Sequence, residues 1–344
     1  MSGNVLVPLF SWFSAHRRSL PWRTPPGTPR DPWQTLVSEV MSQQTRLEVV
    51  VPRFLEWMEN FPSAGHLAMA SQEEVMAAWA GLGYYSRARN LHRCAQAIHR
   101  GGWPTTLDGL LALPGLGPYT AAAIGSLCKG LQVPMVDGNV QRVLSRYHAM
   151  SKDPRGGDGA RRMRELAAAW IQGGDAGEIN EATMELGALV CKPRNPNCGD
   201  CPVADSCKAC ALGTPEAFPP PRAKREVVEV CRTALVVERE RAILLRQAGG
   251  GELLSGLWIL PAVGDHPALQ VGEPQWGSVR HAITHHKVVW EVRSGRWRGG
   301  MLPEGWAWQP RARLGQVVVS SLVRKALERA SIPVGSKADG ASPG

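Results

Sequence analysis

The chain has 344 residues, 44% of them hydrophobic, with 39 Lys plus Arg against 30 Asp plus Glu and a formal net charge of +9. That length asks for two domains, and eight cysteines spread over it exclude a small secreted disulfide scaffold. The cationic excess favours a polyanionic partner, because bound Lys and Arg release condensed counterions from phosphates, although a merely basic soluble enzyme carries the same charge.

The first residues, MSGNVLVPLFSWFSAHRRS, place apolar residues ahead of basic ones, the reverse of a signal peptide, and no apolar run reaches membrane-spanning length. A cytoplasmic protein with no membrane partner is the expectation. Residues 1–212 then read as helix after helix. Asp31-Pro32 opens one as cap and first-turn proline, with Gln34 where a capping box places it. Trp33, Leu36, Val37, Val40 and Met41 follow at helical spacing as one buried face. Further helices are expected around 71–81, 86–100, 105–112, 118–129, 138–150, 159–172 and 177–191. Composition changes at GTPEAFPPPRAKRE, 213–226, where three consecutive prolines predict a semi-rigid linker. Beyond it the pattern becomes strand-like at 227–237, 242–246, 277–284 and 287–292. A closing helix is expected over 316–330, and residues 331–344 read as a disordered tail.

Five stretches carry chemistry. In LPGLGPYTAAAIGS, 113–126, Pro114-Gly115-Leu116-Gly117-Pro118 predicts a tight turn between two helices. Its glycines suit positive φ or close approach of a ligand, and N–H groups at the start of the second helix suit a phosphate. Alone, such a turn is an ordinary helix connection; in a basic chain with a cluster-like cysteine motif, the phosphate grip is favoured. Asp137, in VPMVDGNVQRVLSRYH, reads as an N-cap twenty residues beyond Gly117, with Val140, Val143, Leu144 and Tyr147 as the buried face of the helix it opens. Glu39, Gln43 and Arg46 fall in one line off the apolar face of the first helix, which periodicity alone reads as a solvated surface. GLGYYSRARN, 81–90, offers a glycine turn with Tyr and Arg side chains, fit for wedging a base stack or for two buried tyrosines.

The fifth stretch is Cys191, Cys198, Cys201 and Cys207, spaced C-x6-C-x2-C-x5-C. Its last interval is too short for a zinc ribbon, whereas four converging thiolates suit an iron–sulfur cube. Cys210 adds a fifth nearby thiol. Cys94, Cys128 and Cys231 stand alone and read as small hydrophobes.

Together, SEVMSQQT (38–45), GLGYYSRARNLH (81–92), LPGLGPYT (113–120), VDGNVQRVL (136–144) and the cysteine loop closely resemble the endonuclease III superfamily of base-excision DNA glycosylases. Within it they are similar to the adenine DNA glycosylases, the MutY family, from about residue 10 to 210. The resemblance implies a mostly α N-terminal domain, 1–212, of helix-hairpin-helix glycosylase fold, with one [4Fe–4S] cluster on Cys191, Cys198, Cys201 and Cys207. The family spacing leaves Cys210 out. It also implies a linker, 213–226, and an α+β Nudix-like recognition domain, 227–330. That domain lacks a Nudix box, so a pyrophosphatase site is not expected.

By the same resemblance, Glu39 is the general acid, Asp137 stabilises the sugar cation, and Asn139 and Tyr119 position them. Glu181 meets the adenine edge, Tyr84 wedges beside the mispaired base, Gln43 fills the stack, and Arg46, Gly115 and Gly117 belong to the DNA-binding set. Where endonuclease III places a lysine nucleophile, this chain has Tyr119, which implies base removal without strand cleavage. The family's Phe-Ser-His recognition loop appears as Ile283-Thr284-His285, which keeps a hydroxyl and the imidazole but loses aromatic stacking. The implied substrate is double-stranded DNA with adenine opposite 8-oxoguanine or guanine. The implied protein is a monomer in a bacterial-type cytoplasm, on the nucleoid when DNA is bound. Two other readings are a glycosylase of damaged or mismatched pyrimidines, and a catalytically silent DNA-binding cluster protein; Tyr119 counts against the first, and Glu39 with Asp137 against the second.

Overall fold

The computed structural model describes residues 5–25, 28, 30–221, 226–317 and 320–334. Of the expected linker, residues 222–225 lie outside the described residues, as do residues 335–344 of the expected tail. The chain divides into two compact units, Met1–Arg222 and Ala223–Gly344. Among the described residues no helix is long and apolar enough to cross a membrane.

The first unit is helical throughout: α1 (Leu6–His16), α2 (Pro32–Ser42), α3 (Leu47–Asn60), α4 (Ala64–Met69), α5 (Gln72–Ala78) and α6 (Ser86–Gly101). There follow α7 (Leu107–Leu111), α8 (Pro118–Lys129), α9 (Gly138–Tyr147), α10 (Gly157–Trp170), α11 (Ala176–Leu189) and the single turn α12 (Lys208–Ala211). Start signals act as the residue types dictate. The Asp31 carboxylate accepts from Trp33 N with Pro32 in the first turn, Pro118 opens α8, and Asp137 accepts from Val140 N. The reciprocal capping box expected at Gln34 does not form; the one present pairs Ser71 with Glu74 at α5. Trp33, Leu36, Val37, Val40 and Met41 are buried, and Trp57 of α3 packs edge-on to Trp79 in the same layer. A second core gathers Leu9, Val143, Leu144, Leu166, Trp170, Ile179 and Leu186 from α1, α9, α10 and α11.

Two expectations are corrected here. Helix α2, which carries Glu39, ends at Ser42, Gln44 turns back with φ 56°, and Arg46 caps α3, so Glu39, Gln43 and Arg46 do not share one helical face. Cys231 is exposed on a strand rather than packed as a small hydrophobe, while Cys94 is buried as expected.

The second unit is built on a mixed sheet of β1 (Val228–Arg239), β2 (Ala242–Gln247), β3 (Trp258–Ile259), β4 (Leu269–Ile283), β5 (His286–Trp297) and β6 (Trp306–Pro310). Its order is β3-β2-β1-β5-β4, with β6 beside β2 and β1 running parallel to β5. Alternation sends Ala234, Val236, Val288 and Trp290 to one face, under Leu322, Val323, Ala326 and Leu327 of α14 (Ser321–Arg329). Leu235, Val237 and Leu244 face the other way, under Trp297, Trp306 and Trp308. The two short strands β3 and β6 lie outside the expected runs. The closing helix is broken into α13 (Leu314–Val317) and α14. A tight connection joins β4 to β5 and carries Thr284 and His285 at its tip.

Candidate active site

A cavity of about 460 Å³ opens in the first unit between α2, the start of α8, the cap of α9, and α11. Glu39, Gln43, Tyr119, Asp137, Asn139 and Glu181 all line it, although Glu39 and Glu181 stand 142 positions apart in the sequence. Helix geometry explains the convergence. Tyr119 is the second residue of α8 and Asp137 the cap of α9, so both stand at helix starts facing the side of α2 that carries Glu39. The face that periodicity reads as solvated is therefore covered by three other helices.

The two carboxylates have unlike surroundings. Burial pushes Glu39 up to about 7, and the charges of Asp137 and Glu181 add to that push. A hydrogen bond with Tyr119 and the charge of Arg30 oppose it. Burial also raises Asp137 above the ordinary carboxylate range, but fixed donors hold it down. Val140 N donates to its Oδ1 at 2.7 Å, and the Asn139 amide donates to its Oδ2 at 2.8 Å. Tyr119 is pushed well above the ordinary phenol value by burial and by both carboxylates, so it stays neutral; its hydroxyl also lies 3.7 Å from Met184 Sδ. The pocket thus offers one acid able to hold a proton near neutrality and one carboxylate braced as an anion.

The wall opposite is an ion-pair network that sequence pattern does not reveal. Glu181 pairs with Arg23 Nε at 2.6 Å and with Arg30. Glu185, one turn along α11, accepts from Arg18 Nη2 at 2.8 Å and Arg23 Nη2 at 2.9 Å. Burial alone would raise Glu185, yet the hydrogen bonds from Arg18 and Arg23 outweigh it and bring its carboxyl down to about 2. The three arginines lie between α1 and α2. The run RRSLPWR, 17–23, was the signal available for it.

Helix α9 also ties the pocket to the cysteine loop. Arg142 donates to Asn139 Oδ1 at 2.8 Å, Gly187 O at 2.7 Å and Cys191 O at 2.6 Å. Arg146, one turn on, reaches Lys192 O at 2.6 Å, Pro193 O at 2.9 Å and Cys191 Sγ at 3.3 Å. Cys191, Cys198, Cys201 and Cys207 line one small cavity beneath the loop, and Cys210 lines it with them. Burial pushes the Cys201 thiol up to about 12 and raises that of Cys207, while backbone N–H groups of Val203 at the first, and of Cys210 and Ala209 at the second, oppose the rise. Among the described residues no three Cys, His, Asp or Glu side chains close around a single metal ion. Four thiols that share one cavity fit a cluster.

The remaining candidates lie apart from the pocket. Gly115 adopts φ 79°, and a Cβ there would meet Asn90 Cβ at 2.4 Å, so the turn needs glycine to pack on α6. Gly117 has ordinary negative φ with open space where a Cβ would go, so nothing within the fold demands glycine. Tyr84 is 52% exposed with φ 46°, whereas its neighbour Tyr85 is buried. Arg87, which drew attention only as part of a wedge, is buried under Trp79 and Tyr84. Its guanidinium holds the carbonyls of Val40 at 2.8 Å, Met41 at 3.0 Å, Gln43 at 2.6 Å and Leu82 at 2.7 Å, fixing the end of α2. Arg46 is exposed and lines no wall of the pocket. Ile283, Thr284 and His285 belong to the second unit. Ile283 packs partly on that unit's core, Thr284 is exposed with φ 54°, and its hydroxyl donates back to Ile283 O.

Residues 37–171 match the HhH-GPD superfamily of base excision DNA repair proteins, and residues 191–207 match the iron–sulfur binding domain of endonuclease III. Curated relatives include the adenine DNA glycosylase of Rattus norvegicus, 33% identical over 83% of this chain and 69% of that protein. The Homo sapiens adenine DNA glycosylase is 31% identical over 92% of this chain and 72% of that protein. Among solved structures, a thermostable thymine-DNA glycosylase superposes with TM-score 0.53 at 26% identity, covering 60% of this chain and 95% of its own. Endonuclease III bound to DNA superposes with TM-score 0.50 at 21% identity, covering 60% of this chain and 94% of its own, a likeness of fold alone. The helical unit therefore has the helix-hairpin-helix glycosylase fold and carries an iron–sulfur motif.

Proposed function

The chain belongs to the adenine DNA glycosylase family of base excision repair, and we propose that it removes adenine mispaired with 8-oxoguanine or guanine in duplex DNA, leaving an abasic site. The observation that carries this reading is that Glu39 and Asp137 line one pocket, Glu39 raised to about 7 by burial and Asp137 raised by burial but braced by the Val140 N–H and the Asn139 amide. Adenine leaves poorly as an anion. Glu39, protonated near neutrality, gives its proton to the purine N7 of an adenine flipped into the cavity. Departure leaves a sugar of oxocarbenium character, and Asp137, held by Val140 N–H and the Asn139 amide, faces it as a carboxylate. Tyr119 remains a neutral phenol beside Glu39: it donates when Glu39 is ionised and accepts when Glu39 is protonated. A phenol cannot form an imine with the sugar, so base removal is not coupled to strand cleavage.

The Arg23–Glu181–Arg30 wall shapes the edge where the base would sit, in place of a free Glu181 carboxylate. Gly115 and Gly117, with the orphan N–H groups at the start of α8, take a phosphate, and Tyr84, whose exposure supports the role, wedges the opened stack. Gln43, at the pocket rim, fills the gap, and Arg46 contributes charge outside it. In the second unit, a Nudix-like recognition module, Ile283, Thr284 and His285 at the hairpin tip read the base opposite. Cys191, Cys198, Cys201 and Cys207 hold one [4Fe–4S] cluster; when bound it ties the loop into a rigid cross-link that presents exposed Lys192 and Arg194 to DNA. The protein acts as a monomer.

Duplexes carrying A opposite 8-oxoguanine, A opposite G, A opposite T, and oxidised pyrimidines test this reading. Breaks are expected only at mispaired adenine and only after alkali. Cleavage without alkali through a borohydride-trapped imine, or preference for an oxidised pyrimidine, would overturn it.

A further inference from the structure

Helix α6 carries Arg87, Arg89, Arg93 and Arg100 but no Asp or Glu. Arg87 is spent on the end of α2, and the helix buries Ala88, Leu91, Cys94, Ala95 and Ile98. Turning about 100° per residue, α6 puts Arg89 and Arg93 one turn apart on the side away from those residues. Arg93 is exposed and Arg89 half-buried. Elsewhere on the helical unit Arg53, Arg155, Arg161 and Arg162 each pair with an acid, whereas among the described residues Arg89 and Arg93 have no acidic partner. Two like charges at i, i+4 repel, and no acid on α6 offsets them. The pair brackets Asn90, whose side chain packs against Gly115 of the hairpin. Arg93 Nη2 donates to Asn90 Oδ1 at 2.6 Å, so its guanidinium is held one side chain away from the turn.

Taking as given that the hairpin grips a phosphate of duplex DNA, we propose that Arg89 and Arg93 form a second phosphate-contacting site, which holds the backbone next to the phosphate in the hairpin. The start of α8 offers a phosphate N–H groups and a partial positive charge but no cationic side chain, since its first residues are Pro118, Tyr119 and Thr120. Arg89 and Arg93 supply the full charge. With one donor bound to Asn90, the remaining N–H groups of the Arg93 guanidinium are free for phosphate oxygens. Asn90 thereby ties the charged contact to the turn that Gly115 shapes. Phosphates carry no sequence, so the pair adds affinity and register rather than choice of base.

The test measures binding of the full chain to two duplexes, one with A opposite 8-oxoguanine and one fully matched, from about 50 to about 200 mM salt. Each neutralised phosphate contributes about 0.9 to the slope of log affinity against log salt. Arg89→Gln and Arg93→Gln are each expected to lower that slope by about 0.9, and the double variant by about 1.8, equally on both duplexes. Arg164→Gln removes an exposed arginine of α10 that likewise has no acidic partner among the described residues, and it should leave the slope unchanged. An unchanged slope in either α6 variant overturns the proposal, as does an equal fall in Arg164→Gln or a loss confined to the mispaired duplex. Should Arg89→Gln fail to fold, the exposed Arg93 decides the matter: Arg93→Gln must lower the slope, and Arg93→Lys, which keeps the charge, must restore it. An unsubstituted chain whose duplex binding ignores salt overturns the DNA-binding reading itself; a salt-dependent chain whose slope survives Arg93→Gln overturns only the second site.

Discussion

Excision should fall with rising pH because the proton on Glu39 is lost, and the fall should begin near neutrality rather than in the ordinary carboxylate range. Glu39 is brought to about 7 by burial. Above that value its protonated fraction drops about tenfold per pH unit, roughly 1.4 kcal/mol of barrier for each. At about pH 9 the single-turnover rate should be about a hundredfold below its maximum. The acid limb comes from the other side of the pair, since Asp137 must be ionised and its own value is raised above the ordinary one. Tyr119→Phe sharpens the test. The Tyr119 hydrogen bond favours the ionised form of Glu39, so its removal should move the alkaline limb to higher pH. A bond from hydroxyl to carboxylate is worth about 1.5–3 kcal/mol, which corresponds to a shift of roughly one to two units. The assay is excision with enzyme in excess over a duplex bearing A opposite 8-oxoguanine, with abasic sites revealed by alkali. A profile flat to about pH 9, or an alkaline limb that moves down in Tyr119→Phe, would refute the reasoning.

The hairpin glycines should separate cleanly. Gly115→Ala combines positive φ with a 2.4 Å approach to Asn90 Cβ and should lower the thermal midpoint, whereas Gly117→Ala should leave it unchanged and weaken duplex binding. Equal stability losses would mean that Gly117 serves the fold. Arg87→Met strands the carbonyls of Val40, Met41, Gln43 and Leu82, and about 3 kcal/mol of destabilisation is expected in chemical denaturation, with a change below about 0.5 kcal/mol refuting the clamp. Glu185 sits at about 2 against an ordinary 4.5, so its stabilising contribution, on the order of 3 kcal/mol, is present above pH 4.5 and lost as pH falls towards 2. The gap in thermal midpoint between the unsubstituted chain and Glu185→Gln should therefore be widest near neutrality and close on acidification; a gap independent of pH would show that the arginines do not hold Glu185 down.

Much of the site was legible because local rules bear on single residues. Asp137 before a helix and Pro114-Gly115-Leu116-Gly117-Pro118 between two helices announce themselves through capping and turn chemistry, and both fold as those rules require. The line drawn through Glu39, Gln43 and Arg46 failed for a reason that no local rule contains. Arg87, more than forty residues away, takes the last carbonyls of α2 and fixes the turn that ends it. Glu39 read as solvated because helical period reports one helix at a time, while α8, α9 and α11 close over it from elsewhere. The Arg18–Arg23–Arg30 wall comes from a segment with no period at all. Its charges look like a solvated run until Glu181 and Glu185 are seen opposite them. Short strands such as β3 have too few residues to display alternation.

The central claim is that Glu39 supplies the proton and Asp137 the negative charge. It is tested most directly by Glu39→Gln, which keeps the shape of the side chain and removes its acid function. Single-turnover excision of adenine opposite 8-oxoguanine should be lost while binding to the same duplex is unchanged. Turnover comparable to that of the unsubstituted chain would contradict the account, because another group would then be the acid.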